Sequence, residues 1–228
     1  PDARSRLRQW YGSRFWAPNA LKNRALTDTL QGVYLPYWTF DAHGAAHYTA
    51  EAGTYYRDSQ NKQQVRWRPV SGQVAHRFDD TLVCGSRGVH PALMRAIEPF
   101  PTTSELQAYD ASYLSGWTVE RYALDLAGAA QQGRERMLQG LRQLCAQDIA
   151  ADTHRNLQLD ARFDEQTFKH VLLPVWLVSY QYGAKTFQAV VNGYSGQVAG
   201  EYPKSWVKIA LAVLLGLVLL AVFASLDQ

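Results

Sequence analysis

Val33-Tyr-Leu-Pro-Tyr-Trp-Thr-Phe40 is the stretch on which the fold turns. It holds aromatic, β-branched and aliphatic residues that suit a pleated surface, and Pro36 points to a strand edge or a bulge. Its centre, Leu35-Pro36-Tyr37-Trp38, is echoed by Leu173-Pro174-Val175-Trp176, and each copy leads an apolar strand into a second strand. The echo predicts a pseudo-duplicated β layer with a helical middle between the two copies.

Outward from the first copy, His47–Tyr56 and Gln64–Pro69 alternate in polarity, and Arg57-Asp-Ser-Gln-Asn-Lys62 between them is turn chemistry. Ser71-Gly72 reads as a further turn into Gln73–Phe78, and Asp79-Asp80 as another before Leu82-Val83-Cys84. Pro91–Ile97 reads as a short helix with Pro at its first position. Ser104–Tyr113 is irregular. The middle, from Val119 to about Ala150, is rich in Ala, Leu, Gln, Glu and Arg, and keeps Met137, Leu141, Leu144 and Ile149 to one side of a long helix. His154–Phe163 and Phe168–Tyr182 read as strands, with hairpin signals at Gly183 and Asn192-Gly193. At the N-terminus, Leu7, Trp10, Tyr11 and Phe15 follow helical spacing, and Asn19 can cap a second helix over Ala20–Leu30.

The tail Ile209–Leu226 carries no charge and no Pro. About 18–20 apolar residues at 1.5 Å each match a hydrocarbon core of roughly 30 Å, so a transmembrane helix is expected here. Lys204, Trp206 and Lys208 are the side chains expected at the membrane interface, and the basic residues on that side place the folded portion in the cytoplasm. The expected class is therefore α+β. Mainly antiparallel sheets form two lobes around a long helix, and one C-terminal transmembrane helix follows. The segments are 1–31, 32–118, 119–152, 153–203 and 204–228.

The chain has 228 residues, with 23 basic and 20 acidic side chains and a net charge of +3, a balance that by itself does not mark a nucleic-acid binder. Cys84 and Cys145 lie far apart, outside any C-x-x-C spacing, and read as free thiols. No phosphate loop, dinucleotide fingerprint, G-x-S-x-G or H-E-x-x-H motif is present. Three weaker constellations remain. His43 and His47 with Asp41 or Glu51 offer metal-ligand atoms. Cys84 and His90 with Asp79 or Asp80 contain the residue types of a thiol enzyme. Arg4, Arg6, Arg8, Arg14, Arg66 and Arg68 offer an anionic-lipid or nucleic-acid surface. The plainer reading prevails in each case: sheet-face histidines, a buried thiol and solvated arginines. No catalytic residue, metal or cofactor is assigned. Trp38, Trp67, Trp117, Trp176 and Trp206 are the candidate partner-binding residues, because Trp anchors interfaces.

Gly32-Val-Tyr-Leu-Pro-Tyr-Trp-Thr-Phe-Asp41, Phe15-Trp-Ala-Pro-Asn19, Thr167-Phe-Lys-His-Val-Leu-Leu-Pro-Val-Trp176, Val191-Asn-Gly-Tyr-Ser-Gly-Gln-Val-Ala-Gly-Glu201 and Tyr113-Leu-Ser-Gly-Trp117 resemble a family of bacterial membrane proteins. These are described as TFIIB-type zinc-ribbon-containing proteins, sometimes labelled primosomal N′ helicase-like. The resemblance implies a zinc ribbon ahead of the region seen here and a membrane-tethered cytoplasmic module working with other membrane proteins. The paired cysteines of that ribbon are missing from this sequence, so zinc is carried onto no residue, and nothing here matches the helicase label. The functional expectation is a non-enzymatic membrane-anchored scaffold or accessory subunit whose α+β domain binds a protein partner.

Overall fold

The computed structural model describes residues 2–19 and 30–226, with side chains described as far as 220. The helix expected over Ala20–Leu30 lies, but for Leu30, outside the described residues. In chain order the elements are α1 (Ala3–Gly12), β1 (Gln31–Arg57), β2 (Gln63–Cys84), α2 (Pro91–Ala96), β3 (Thr118–Val119), α3 (Leu126–Asp148), β4 (Thr153–Tyr182), β5 (Lys185–Asn192), β6 (Val198–Gly200) and α4 (Trp206–Leu226).

All the described strands belong to one sheet, ordered β2-β1-β4-β5-β6, with β3 pairing in parallel against β1. The two-lobe expectation is thereby corrected, and the reason lies in the echoed motif. Leu35 faces Leu173, Tyr34 faces Pro174 and Gly32 faces Trp176 across one antiparallel ladder. The two copies are partners, not the cores of separate layers. The long helix is present as α3, but it lies on a face of this sheet instead of between lobes. It starts at Leu126, where the Asp125 carboxylate accepts the Gly128 N–H, because Thr118–Val119 is drawn into the sheet.

β1, β2 and β4 are each longer than the strands expected from local pattern. Ser71-Gly72 lies within β2 and is not a turn. Gly72 is needed there because an added Cβ would come within 2.6 Å of the Tyr48 hydroxyl and 2.7 Å of its ring on the neighbouring strand. Asp79-Asp80 also lies within β2, where Asp80 takes a positive φ of 51° and its N–H is held by the Asp41 carboxylate at 2.8 Å.

The burial pattern divides the sheet into regions. Trp38, Phe40, Ala42, Ala46, Tyr48, Ala50 and Ala52 of β1 pack beneath Met137, Leu141 and Cys145 of α3. Val33, Leu35 and Tyr37 point the other way, into a cluster with Leu93 and Met94 of α2, Ile97 and Phe100. Leu7 and Tyr11 of α1 cover Val178, Tyr180 and Val191. The far halves of β1, β2 and β4 are covered by α3 on one face only, so His43, His47 and Thr49 stay exposed, as antiparallel sheets permit.

The membrane-anchor expectation, and with it the single-pass inner-membrane location, is also corrected. Among the described residues no helix is long and apolar enough to cross a membrane. The segment expected to span folds as the helix α4. Lys208 is tied down at the base of this helix. Its ammonium donates to Phe15 O and Ala17 O at 2.8 Å and to Asn19 Oδ1 at 3.0 Å, which spends it on the N-terminal segment instead of a headgroup. Lys204 is exposed and Trp206 is 83% exposed.

Candidate functional site

The site begins with an unpaired strand edge. Pro36 O accepts the Gly85 N–H at 2.8 Å, so the backbone carbonyl of residue 36 aims away from β4. With period two, the backbone polar groups of Trp38 and Phe40 do the same. Their partners on β4 are Leu172, His170 and Phe168. In such antiparallel pairs both residues turn their N–H and C=O away from each other, so these three aim theirs at the far side of β4. There, β5 pairs with β4 only from Val175 onward. Pro174 O, the next group in the series, takes the Gly193 N–H at 2.9 Å, which checks the direction. Among the described residues nothing pairs with the outward groups of Phe168, His170 and Leu172.

The sheet's other free edges are guarded. From Thr153 to Thr167, β4 carries Arg155, Asp160, Arg162, Asp164 and Glu165, with positive φ at Asn156 (55°) and Glu165 (52°). The outer edge of β2 carries Arg66, Arg68, Pro69 and Arg77. Charge, Pro and bulges are how edges resist pairing. The stretch 168–172 lacks Pro and bulges, and Lys169, its one charged residue, is engaged elsewhere.

That open stretch faces a strap, residues 101–117, which leaves the cluster around Phe100 and returns to β1 at β3. At its root, the buried Asn192 amide donates to Ile97 O at 2.8 Å and Pro99 O at 3.2 Å. At its far end Trp117 lies over Gly32, where an added Cβ would come within 2.7 Å of the indole. Trp117 also meets Trp176 at 4.7 Å and Tyr34 at 5.1 Å between ring centroids. Between strap and edge is a groove of about 500 Å³, lined by Leu106, Tyr109 and Tyr113 on one side and His170, Leu172 and Pro174 on the other. Tyr109 is 72% exposed and Tyr113 52%. A loop this long with little regular structure is uncommon unless it serves binding.

The groove's electrostatics are simple. Lys169 donates to Asp80 Oδ1 at 2.9 Å, and this bond, helped by the charges of Asp80, Asp41 and Asp79, holds its pKa above the usual lysine value. Its charge is therefore spent within the sheet. Glu105 and Asp110 remain on the strap, and the Ser112 N–H and side chain hold the Asp110 carboxyl below the usual range. The rim is acidic.

Of the five tryptophans singled out by sequence, the structure brings Trp117 and Trp176 together beside the groove. Trp38 is buried one strand away, against His170 at 3.7 Å, with its indole N–H on Leu124 O. Trp67 lies near the β1–β2 hairpin under Arg155, and Trp206 is on α4. The strap tyrosines and the edge residues Phe168, His170 and Leu172 are absent from that set.

The catalytic and metal constellations are dispersed. His43 and His47 share a face, but four residues along a strand separate them by about 13 Å, too far for one ion. His43 sits 3.6 Å from Glu165. The described carboxylates close enough to share a cation are Asp41, Asp79 and Asp80, and the Lys169 ammonium already lies against Asp80 and Asp41. Burial pushes the Cys84 thiol up, away from the reactive thiolate, and His90 Nδ1 accepts the Ala92 N–H to cap α2. The arginines do not converge. Arg4, Arg6 and Arg8 lie on α1, beside β5 and β6, whereas Arg66 and Arg68 are at the other end of the long strands.

Glu98, beside the root of the strap, carries a pH signature. Burial raises its pKa above 4.5 although Arg136 stands 3.3 Å away. A carboxyl whose pKa is higher folded than unfolded adds stability that is complete below the unfolded value and lost as pH rises through the folded one. Between wild type and Glu98→Gln, the difference in melting temperature is expected to shift against the wild type as pH rises from about 4.5. A pH-independent difference would refute this assignment.

Compared with known proteins, the chain matches no family model and no solved structure. It is similar to the uncharacterized protein YdjG of Bacillus subtilis (strain 168), with 23% identity over 214 residues, which cover 92% of this chain. The chain spans 62% of that relative's length.

Proposed function

We propose that this chain is a non-enzymatic protein-binding module, a scaffold or accessory subunit that adds an extended segment of its partner to the open edge of β4. The observation that carries this reading is the row of outward backbone groups on Phe168, His170 and Leu172, facing a groove with exposed aromatics. In strand addition, main-chain hydrogen bonds supply affinity, and pockets for alternate side chains supply selectivity. A groove of about 500 Å³ accommodates three or four residues. Tyr109, Tyr113 and Leu106 offer apolar contact to every second side chain, while Glu105 and Asp110 favour a basic flank.

The test uses random heptapeptides displayed on phage and panned against the intact chain, with recovered peptides measured by fluorescence anisotropy. Apolar segments with a basic flank and Kd values in the micromolar range are expected. Leu172→Pro removes an outward N–H without touching the ladder to β1, so it is expected to weaken binding about tenfold while the fold persists. Val171→Pro removes an inward N–H from that ladder and is expected to unfold the region. Peptides that bind Leu172→Pro as well as wild type would place the site elsewhere, and an empty selection would count against the module itself.

A further inference from the structure

A second cavity, of about 260 Å³, lies where the end of β2, the 85–90 loop, α2 and α3 converge. Its lining includes three guanidinium groups, Arg87 from the loop, Arg95 from the last turn of α2 and Arg136 from α3, together with the Gln132 amide one turn before Arg136. The three arginines differ in employment. Arg136 is largely buried and fixed, donating to Leu82 O and pairing with Glu98 at 3.3 Å. Arg87 and Arg95 are exposed, and among the described residues neither side chain makes a hydrogen bond or an ion pair. The acidic groups nearby are already committed, Glu98 to Arg136 and Glu120 to the Ser86 hydroxyl. One positioned cation and two without a hydrogen bond or close ion pair thus surround a concave space, and although the Arg95 charge also acts on Glu98, the three guanidinium groups outnumber those two carboxylates.

From this arrangement we infer that the cavity bounded by Arg87, Arg95 and Arg136 binds a small phosphorylated molecule through its phosphate group. Guanidinium forks match the oxygens of a phosphate in pairs, and a partly enclosed site strengthens each such bond over its value in open water. Arg136 sets the position, since its geometry is held from behind by Leu82 O and Glu98. Arg87 and Arg95 close on the anion from the rim, and the Gln132 amide supplies a neutral donor. The cavity exceeds what a phosphate ion alone fills, which leaves room for a small organic remainder. The half-buried Cys84 thiol, its pKa raised by desolvation, lines the same space, and the site asks no chemistry of it.

The test is calorimetric titration of the intact chain with inorganic phosphate at constant ionic strength, alongside sulfate and succinate. Saturable binding of phosphate is expected, weakened about tenfold by Arg87→Gln or by Arg95→Gln and lost in the double variant. Both residues are exposed, so these variants keep the fold. Arg95→Lys keeps the charge without the fork and is expected to fall between Arg95→Gln and wild type. Arg68→Gln, at the far hairpin, is expected to bind phosphate like the wild type. An absence of saturable binding, or equal losses from Arg68→Gln and Arg95→Gln, would overturn the site. Succinate binding as tight as phosphate would overturn its assignment to phosphate.

Discussion

Replacing Asn192 by alanine is expected to lower the melting temperature by roughly 10 °C and to abolish peptide binding at the groove. Asn192 is fully buried, and its amide closes four hydrogen bonds. Nδ2 donates to Ile97 O and Pro99 O, while Oδ1 accepts from Tyr194 N and Ser195 N, both at 2.9 Å. One side chain thus ties the end of β5 to the root of the strap. Truncation leaves these groups without partners, at about 1–3 kcal/mol for each that stays buried, and partial relaxation brings the total to about 3–4 kcal/mol. In a chain of this size each kcal/mol moves the midpoint by about 2–4 °C. The functional consequence follows from position. With residues 97–101 released, Tyr109 and Tyr113 are no longer held opposite Leu172. Asn192→Asp separates the two halves of the argument. It keeps both acceptor bonds but aims a carboxylate at two carbonyl oxygens, so it is expected to be at least as damaging as alanine. Thermal unfolding and peptide anisotropy on both variants check this, and an Asn192→Asp protein with wild-type stability would refute it.

The elements decided by local chemistry were legible in the sequence. The Arg57–Lys62 turn forms because the Asp58 carboxylate accepts the Gln60 and Lys62 N–H groups and Asn61 takes a φ of 62°. Gly183 turns β4 into β5 with a φ of 62°. Pro91 at the start of α2 and the long amphipathic stretch of α3 follow the same logic. What failed was non-local. Gly72 carries the signal of a turn, yet the Tyr48 ring that requires a glycine there comes from another strand. The Leu-Pro echo is visible, but a sequence does not state that its two copies pair with each other. The open edge at Phe168–Leu172 is illegible for the same reason. It exists because β5 stops pairing at Val175, and no residue between 168 and 172 records where a neighbour ends. Trp117 and Trp176, which the structure brings together, stood out in the sequence as large aromatics, whereas the strap tyrosines sat in a stretch whose only signal was its lack of periodicity.

A cut in the other core is expected to separate stability from binding. Leu141, on α3, is fully buried at the centre of the cluster that covers the far halves of β1, β2 and β4. Gly44 lies beneath it, and a Cβ added there would come within 3.3 Å of the Leu141 methyl and 2.8 Å of the Phe78 ring, a measure of how closely helix and sheet approach. Leu141→Ala removes apolar volume that β1 and α3 cannot close over, so the expected cost is about 2–5 kcal/mol. The loss falls on a cluster distinct from those around Val33, Leu35 and Val175, which support the groove. Local opening is therefore expected in the far half first. Hydrogen exchange of Leu141→Ala is expected to accelerate along Gly44–Tyr56 and Gln64–His76 while Leu173 and Val175 stay protected. Peptide affinity, measured well below the lowered midpoint, is expected to stay within about twofold of wild type, since no group at the edge or strap has moved. Uniform acceleration across both halves would mean that the sheet opens as one unit, and the groove would then share its stability with α3. Set beside Asn192→Ala, the two variants test whether the groove is held by its own core and strap or by the whole sheet.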